Sequence, residues 1–174
     1  MKNVMGVDPS ISNTGIYYND RDRMVVRSAS GSGIKSDERL TAVRNVVANG
    51  IDDMDPVDLV VIEGYLNTSY SAGTTALLHG TLRSKFVDMG VPFIVIPPSS
   101  LKLFATGRGN ASKTDMAVSA FKRAGMEFPD EDTCDAWWLW VAGHEFLGDR
   151  VVELPQTQRD ALKRANKKAC PTWQ

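Results

Sequence analysis

The sequence predicts an α/β fold in which a mixed five-stranded sheet, three antiparallel strands followed by parallel ones, is flanked by helices. Three short strand patterns follow one another at the start of the chain, separated only by turn-forming residues. A fully apolar strand pattern comes later, at residues 59–62, and its lack of polar alternation is typical of a strand that helices cover on both faces. Segments with apolar residues at helical spacing surround the later strands.

The three opening strands are expected at residues 2–8, 14–18 and 23–27. Residues 9–13 and the neighbourhood of Asn19 and Asp20 are rich in turn formers. Connections this short join antiparallel neighbours, so the three strands are expected to form a meander. A Gly/Ser-rich segment at 28–33 indicates a loop after them.

Apolar residues at helical spacing predict four helices. The first is capped by Asp37 and ends before the break at 52–56, and the second covers 74–89. The third opens at Ser112, which with Asp115 resembles a capping box, and the fourth covers 132–146. A fifth strand at 93–96 is closed by two prolines, which gives the order β-β-β-α-β-α-β-α-α.

A chain of 174 residues is long enough for one domain with a substantial core. We expect one folded domain over residues 1–150 and a basic C-terminal segment over 151–174, which forms either a short helix after residue 155 or a tail. The composition, 43% hydrophobic and 24% charged, is ordinary for a globular protein.

The sequence argues against several protein classes. No apolar run approaches the length of a membrane span, and the opening residues lead straight into a strand pattern, so we expect neither a membrane segment nor a secretory signal. The two cysteines make no disulfide framework and lack zinc-ligand spacing. A reducing cytoplasm is the expected location.

Charge is unevenly distributed, although the net charge is only −1. Residues 81–123 carry seven basic side chains against two acidic ones, a net charge of +5, and residues 159–174 carry +4. A basic surface beside an acidic pocket suits a polyanion that approaches metal ions. The alternative is that these charge runs are simply solvated faces.

Four acidic residues lie where a strand ends or a helix begins. Asp8 and Glu63 each follow an apolar strand pattern, and Asp132 and Asp135 are spaced so that both point to one helix face. Carboxylates that converge repel one another unless a cation lies among them, and Mg²⁺ prefers such oxygen ligands. Two such ions about 3.5–4 Å apart are the usual apparatus for cutting a phosphodiester.

Each acid also has a structural interpretation. Asp8 could cap a turn, and a salt bridge could account for Glu63 at the end of a buried strand. Asp132 and Asp135 could cap their helix, where Asp130 and Glu131 compete with them. The metal interpretation is favoured because the spacing of the last pair directs both carboxylates toward one site.

Other chemically capable residues are expected to serve packing. Trp137, Trp138 and Trp140 are expected to pack on the sheet or at a subunit contact, and His79 to lie in a helix as packing or surface. His144 is rejected as a metal ligand because it falls near the opposite face of its helix. Cys134 is expected to be a small, semi-buried residue, since no partner base is apparent.

The motifs together resemble the RuvC family of Holliday junction resolvases, within the ribonuclease H-like superfamily. The resemblance covers roughly residues 1–148 and rests on four motifs in order. These are Gly6-Val7-Asp8-Pro9-Ser10 with Asn13-Thr14-Gly15, Val61-Ile62-Glu63, Thr106-Gly107-Arg108-Gly109-Asn110-Ala111-Ser112-Lys113, and Asp132-x-x-Asp135-Ala136. It implies that Asp8, Glu63, Asp132 and Asp135 bind two Mg²⁺ ions, with Mn²⁺ expected to substitute.

The resemblance also implies DNA-contacting residues. The family's two lysines, eleven residues apart, correspond to Lys102 and Lys113, and Lys113 is expected to take part in catalysis by offsetting charge in the transition state. An aromatic residue after the second carboxylate stacks on a base at the junction, for which Tyr65 and Tyr70 are candidates. Arg108, Arg83 and Lys85 complete the predicted DNA-binding set.

The function implied is a Mg²⁺-dependent endonuclease that resolves four-way DNA junctions by paired symmetric nicks, leaving 5′-phosphate and 3′-hydroxyl ends. A homodimer is implied because a two-fold dimer matches the two symmetric cuts. The compact length and basic tail leave room for a phage-encoded relative, for which the host cytoplasm is the expected location.

Four alternatives stay open. The chain could be a broader nuclease for flaps, forks and replication intermediates, or belong to the ribosomal-RNA-processing branch of the superfamily. It could be a catalytically silent DNA-binding scaffold, although all four carboxylates are intact. The fourth alternative is a small sugar or nucleotide kinase, because the hairpin that starts at Asp8 resembles phosphate-binding hairpins of the actin and sugar-kinase type. The chain length and the missing second copy of the hairpin argue against it.

Overall fold

The computed structural model describes residues 2–18, 22–27, 34–54, 56–65 and 72–166. Its strands are β1 (Val4–Asp8), β2 (Asn13–Tyr18), β3 (Asp22–Arg27), β4 (Leu59–Glu63) and β5 (Phe93–Ile96). Its helices are α1 (Ile34–Met54), α2 (Ala72–Asp88), α3 (Pro98–Thr106), α4 (Lys113–Ala124), α5 (Glu131–Phe146) and α6 (Gln156–Asn166).

The five strands form one mixed sheet in the order β3-β2-β1-β4-β5, which confirms the predicted fold class. Strands β1, β2 and β3 pair antiparallel, whereas β4 lies parallel to β1 and β5 lies parallel to β4. In the β1–β4 register Val7 is opposite Ile62, so Asp8 and Glu63 leave the sheet at the same edge.

Helices cover both faces of the sheet and produce two apolar cores. One core contains α3, α4, α5 and α6 against β1, β4 and β5, and the other contains α1 and α2. Strand β4 contributes to both cores, because Leu59 and Val61 face the first while Val60 and Ile62 face the second, and all four are at most 2% exposed. The apolar run at 59–62 is therefore explained by burial on two faces.

Helix α5 lies unusually close to the sheet because two glycines leave room for it. A Cβ atom at Gly6 of β1 would stand 2.0 Å from the carbonyl oxygen of Ala136, and one at Gly143 would stand 2.5 Å from a Val4 methyl. Trp137, Trp138 and Trp140 are each at most 3% exposed, which confirms the expectation that these tryptophans pack.

Two helices differ from the predicted order. The predicted order lacked helix α3, because Pro97 and Pro98 signalled only the end of β5. In the structure Pro98 is the first residue of α3, a position where the missing backbone N–H of proline removes no helical hydrogen bond. Helix α6 falls in the segment predicted as a short helix or tail, and Ala161 and Leu162 bury it in the first core. The chain through Asn166 therefore shares that core.

The predicted helix starts can also be compared with the structure. Helix α1 begins at Ile34, so Asp37 lies within its first turn and the predicted N-cap at Asp37 was wrong. The capping box of Ser112 and Asp115 was correct, with both reciprocal hydrogen bonds present. Among the described helices, none combines the length and the apolar character that crossing a bilayer requires.

Candidate active site

The carboxylate cluster, defined here as Asp8, Glu63, Asp132 and Asp135, forms where the ends of β1 and β4 meet the start of α5. Asp8 is the last residue of β1 and is 8% exposed, and Glu63 is the last residue of β4 and is half-buried. The two carboxyl groups are close enough for each to shift the pKa of the other.

The first turns of α5 supply the other half of the cluster. Asp130 is the N-cap, and its Oδ1 accepts hydrogen bonds of 2.8 Å from both the backbone N–H and the hydroxyl of Thr133. Capping therefore occupies Asp130, whereas Asp132 and Asp135 interact electrostatically with Asp8. Asp135 is only 3% exposed. The metal-binding role of Asp132 and Asp135 stays a prediction.

Burial and mutual repulsion shift the ionisation of these acids. Burial, reinforced by the charge of Asp135, raises the pKa of Asp8 to about 7. Burial and then the charge of Asp8 hold the pKa of Glu63 well above its usual range. Desolvation also raises the pKa of Asp132 and of Asp135. A cation bound among these groups would favour their ionised form, because an opposite charge nearby offsets burial and mutual repulsion.

Lys113 supplies a positive charge within the cluster. Its ammonium donates a hydrogen bond to Oδ2 of Asp135, an ion pair that joins the first turn of α4 to α5. Burial opposes the charged ammonium, but the charges of Asp135, Asp8 and Glu63 outweigh it, so the pKa of Lys113 is raised. The structure therefore places the four predicted metal ligands within electrostatic reach of one another and of the predicted catalytic lysine.

The loop that carries Arg108 is held by two residues that sequence reasoning did not assign to the site. The Thr106 hydroxyl accepts from the Arg108 N–H at 3.1 Å and donates to the Lys102 carbonyl at 2.8 Å. Asp115 caps α4 through Ser112 and pairs with the Arg108 guanidinium at 2.9 Å. The capping pattern at Ser112 signalled the first role of Asp115, but its ion pair crosses a loop and leaves no sequence signal.

The remaining predicted DNA-binding residues lie at different distances from the cluster. Lys102 on α3 is half-buried and acts electrostatically on Asp135. Tyr65, two residues after Glu63, is 39% exposed, with its ring centroid 4.9 Å from that of His79 on α2. Tyr70 falls outside the described residues.

Arg83 and Lys85 are not brought to the cluster. Both lie in the second half of α2, and the Arg83 guanidinium stands 5.7 Å from the ring centroid of Phe93, the first residue of β5. Since β5 runs parallel to β4, Phe93 is at the edge of the sheet opposite Glu63. DNA contact by these two residues stays a prediction that the location of the cluster does not support.

His144 and His79 lie as the sequence suggested, whereas Cys134 is buried more deeply than expected. His144 is fully buried, and its Nδ1 is 3.2 Å from Asp149 Oδ2 near the other end of α5, far from the cluster. His79 is 3% exposed, which agrees with a packing role. Cys134 is 2% exposed, and burial raises the pKa of its thiol to about 12.

The donor set fits a hard divalent cation. Oδ1 of Asp135 is buried and accepts no hydrogen bond within the described part of the chain, so this carboxylate retains a free donor atom. All four cluster side chains offer oxygen ligands, which Mg²⁺ prefers. Within the described ranges, no group of three His, Cys, Asp or Glu side chains has the arrangement of a metal site. The Lys113 ammonium supplies the positive charge that acts on these carboxylates.

Comparison with known proteins gives related sequences and structures. No protein-family model matches the chain. The crossover junction endodeoxyribonuclease RuvC of Akkermansia muciniphila is 28% identical over 161 residues, covering 84% of this chain and 92% of its own. That of Paenarthrobacter aurescens is 28% identical over 157 residues, covering 80% of this chain and 82% of its own.

Solved structures share the fold. The Thermus thermophilus RuvC structure is 19% identical, with a TM-score of 0.68 over 86% of this chain and 99% of its own. The complex of T. thermophilus RuvC with a Holliday junction substrate gives a TM-score of 0.69 over 88% of this chain and 100% of its own. By sequence and by fold, the chain is therefore similar to RuvC proteins over at least four fifths of its length.

Proposed function

We propose that this protein is a Mg²⁺-dependent endonuclease that resolves four-way DNA junctions by paired, symmetric nicks. The observation that carries the proposal is the convergence of Asp8, Glu63, Asp132 and Asp135 around the Lys113 ammonium. Relatives named crossover junction endodeoxyribonuclease, and a structural neighbour solved with a Holliday junction substrate, support it.

The carboxylate cluster would hold the metal ions. When bound, two such ions supply an activated water and stabilise the leaving 3′ oxygen of the phosphodiester, which gives 5′-phosphate products. Asp8 and Glu63 end strands, and Asp135 is held by a well-packed helix, so these ligands are fixed before the ions arrive. Mn²⁺ is expected to substitute for Mg²⁺, since it accepts the same oxygen donors.

The chain's cations and Tyr65 would place the substrate. Lys113, 38% exposed at its side chain, faces both Asp135 and solvent, so its ammonium is available to offset charge on the scissile phosphate. Lys102 and Arg108 flank it and would hold the backbone by charge. Tyr65 is exposed next to Glu63 and would stack on an unpaired base.

Two symmetric cuts require two sites, so the active species is proposed to be a homodimer. Each protomer contributes one complete carboxylate cluster from its own β1, β4 and α5. The nick on each strand would then fall at positions related by the two-fold axis of the junction. Sedimentation at micromolar protein concentration tests the dimer independently of cleavage.

The experiment compares four labelled DNA substrates: a four-way junction, a Y-fork, a flap and a linear duplex. Each is incubated with Mg²⁺ or EDTA, using the wild-type protein and the Asp8→Asn variant. We expect paired nicks on the four-way junction that disappear in EDTA and in the variant, while the variant still binds the junction.

Other outcomes identify the alternatives. Comparable cutting of forks and flaps would make the protein a broader branched-DNA nuclease, and cutting of linear duplex at the same rate would remove junction selectivity. Binding without cleavage under all metal conditions would indicate a scaffold. Undiminished cleavage by Asp8→Asn would overturn the assignment of the cluster.

A further inference from the structure

One pair of aromatic rings lies next to the carboxylate cluster. Tyr65 follows Glu63 by two residues, and its ring centroid is 4.9 Å from that of His79 on α2, with the ring planes tilted by 49°. This spacing lies in the range of about 4.5–7 Å at which aromatic rings attract each other. Tyr65 is 39% exposed, whereas His79 is 3% exposed. The His79 ring therefore lies on the buried side of Tyr65 and leaves part of the tyrosine ring open to solvent.

The backbone fixes where the Tyr65 side chain starts but not how its ring is turned. The Gly64 N–H donates a 2.8 Å hydrogen bond to the Ile96 carbonyl, which ties the chain just before Tyr65 to the end of β5. Tyr65 itself lies beyond the last residue of β4, outside any helix or strand. Within the described ranges, His79 provides the only aromatic ring in contact with Tyr65. His79 is therefore the contact best suited to orient the tyrosine ring.

His79 is itself held in place by the core. Its neighbours on α2, Leu78 and Leu82, are fully buried in the core that α1 and α2 share. Burial, together with the charge of Arg83, lowers the pKa of His79 to about 4. At neutral pH the side chain is thus an uncharged aromatic ring on a packed helix. Such a ring is a firm support for a tyrosine that lies outside the regular structure.

An oriented tyrosine ring suits base stacking. Aromatic side chains stack on any base, because every base presents a π-face. A side chain that is already oriented loses less conformational freedom on binding than one that the ligand must order, and it therefore binds more tightly. Since Tyr65 is only two residues from Glu63, a base stacked on it would lie close to the proposed metal ligands.

We propose that His79 is a positioning residue for Tyr65: its buried ring holds the tyrosine ring in the orientation that stacks on an unpaired base at the branch point of the DNA. This inference rests on the proposed function, because it presupposes that branched DNA lies over the carboxylate cluster. His79 acts only through Tyr65 and takes no part in the chemistry at the cluster. Its effect is therefore confined to substrates with an unstacked base, and binding to linear duplex does not depend on it.

The test is a double-mutant cycle on junction affinity, in the cleavage-deficient Asp8→Asn background. His79→Leu keeps an apolar side chain but removes the ring, and it is expected to weaken junction binding about 2- to 10-fold. His79→Phe restores a ring and should bind within about 2-fold of the parent protein. When Tyr65 is already replaced by Ala, His79→Leu is expected to have no further effect, because no ring remains to be positioned.

A matched control separates positioning from a general loss of stability. Phe86 is fully buried further along α2, where its ring centroid is 5.4 Å from that of Phe93. Phe86→Leu is expected to lower the free energy of unfolding, measured in urea, without changing junction affinity. If His79 had only a structural role, His79→Leu would behave like Phe86→Leu.

A spectroscopic signal reports the stacking itself. 2-Aminopurine is placed in turn at each position around the branch point, where its fluorescence is quenched on stacking. We expect quenching at one position by the parent protein and by His79→Phe, weaker quenching by His79→Leu, and none at that position by Tyr65→Ala.

The inference would be overturned if His79→Leu weakened binding equally with and without Tyr65, or if His79→Phe bound as weakly as His79→Leu. Failure of the Asp8→Asn protein to bind junctions would instead overturn the proposed function. The contact is then decided without DNA, by NMR of protein labelled at its four tyrosines. The Tyr65 ring signal, assigned through Tyr65→Phe, is expected to move in His79→Leu, and an unchanged signal would show that His79 does not hold the ring.

Discussion

Gly15 on β2 lies directly against the backbone of Asp132 on α5. A Cβ atom at position 15 would stand 2.1 Å from the Asp132 carbonyl oxygen and 2.5 Å from its carbonyl carbon. Both neighbours are backbone atoms, which cannot turn away as a side chain would. The start of α5, which carries Asp132 and Asp135, can therefore pack this close to the sheet only because residue 15 has no side chain.

Gly15→Ala is expected to displace the start of α5 and to separate Asp132 and Asp135 from Asp8. Inserting a group into such a contact costs about 1–3 kcal/mol of unfolding free energy, or more. Metal affinity should fall as well, because ligands on α5 move while those on β1 stay. Urea unfolding and Mg²⁺ titration by calorimetry measure the two effects. Gly73→Ala on α2, where no atom lies within 4 Å of the new Cβ, is the matched control.

Lys113→Gln is expected to lower stability because it leaves Asp135 buried without its cation. Removing one partner of a fully buried pair costs about 3–5 kcal/mol. Lys113 is partly exposed, so solvent screening reduces the expected loss to about 1–2 kcal/mol. Urea unfolding at neutral pH checks this, with Lys122→Gln in the last turn of the same helix as control. Equal stability of the two variants would show that the ion pair contributes little.

Asp8→Asn is expected to stabilise the metal-free protein and to abolish stabilisation by metal. Burial and the neighbouring carboxylates disfavour the charge of Asp8, and an amide of similar shape removes that charge. The wild type should gain about 2.7 kcal/mol when Mg²⁺ reaches 100 times its Kd. Thermal unfolding in EDTA and in Mg²⁺ measures both changes. The control Asp53→Asn, at an exposed position on α1, should behave as wild type. If the unfolding temperature of Asp8→Asn rises with Mg²⁺ as much as that of the wild type, Asp8 is not a metal ligand.

His79 predicts a loss of stability in mild acid. Burial, together with the nearby charge of Arg83, lowers the pKa of His79 from 6.5 to about 4. Between these values the unfolded chain binds a proton that the folded protein does not, so stability falls as pH falls from 6.5 toward 4. The contribution reaches at most about 2 kcal/mol at pH 5. His79→Phe keeps a ring against Tyr65 and should lose this part of the pH dependence in urea unfolding at pH 7.5 and 5. An unchanged pH profile would contradict it.

The sequence was most informative where a few neighbouring residues carried the signal. Apolar strand patterns that end in Asp8 and Glu63 predicted both the sheet and the edge at which the acids meet. The spacing of Asp132 and Asp135 predicted a shared helix face because helix geometry depends only on local order. These features are encoded over a few consecutive residues.

The rest depends on contacts between distant segments. The sequence placed Gly15 in the second strand, and only the position of α5 shows why a side chain cannot occur there. Arg83 and Lys85 share a basic segment with Lys113, but a count of charge along the chain does not tell which edge of the sheet each residue reaches. Helix α3 was missed because two prolines favour a strand ending as strongly as a helix beginning.

The central claim is that one carboxylate cluster per protomer cuts a four-way junction in a paired manner. A supercoiled plasmid that extrudes a single cruciform separates paired cutting from independent nicking. Two symmetric cuts within one junction produce linear plasmid, whereas a single cut relaxes the supercoil and removes the substrate.

The protein is therefore incubated with this plasmid in Mg²⁺, and the fractions of linear and nicked circular DNA are measured over time. We predict that linear DNA with ends at the cruciform is the main product and that Asp8→Asn yields neither product. Nicked circles alone, or linear DNA with ends scattered over the plasmid, would contradict the account.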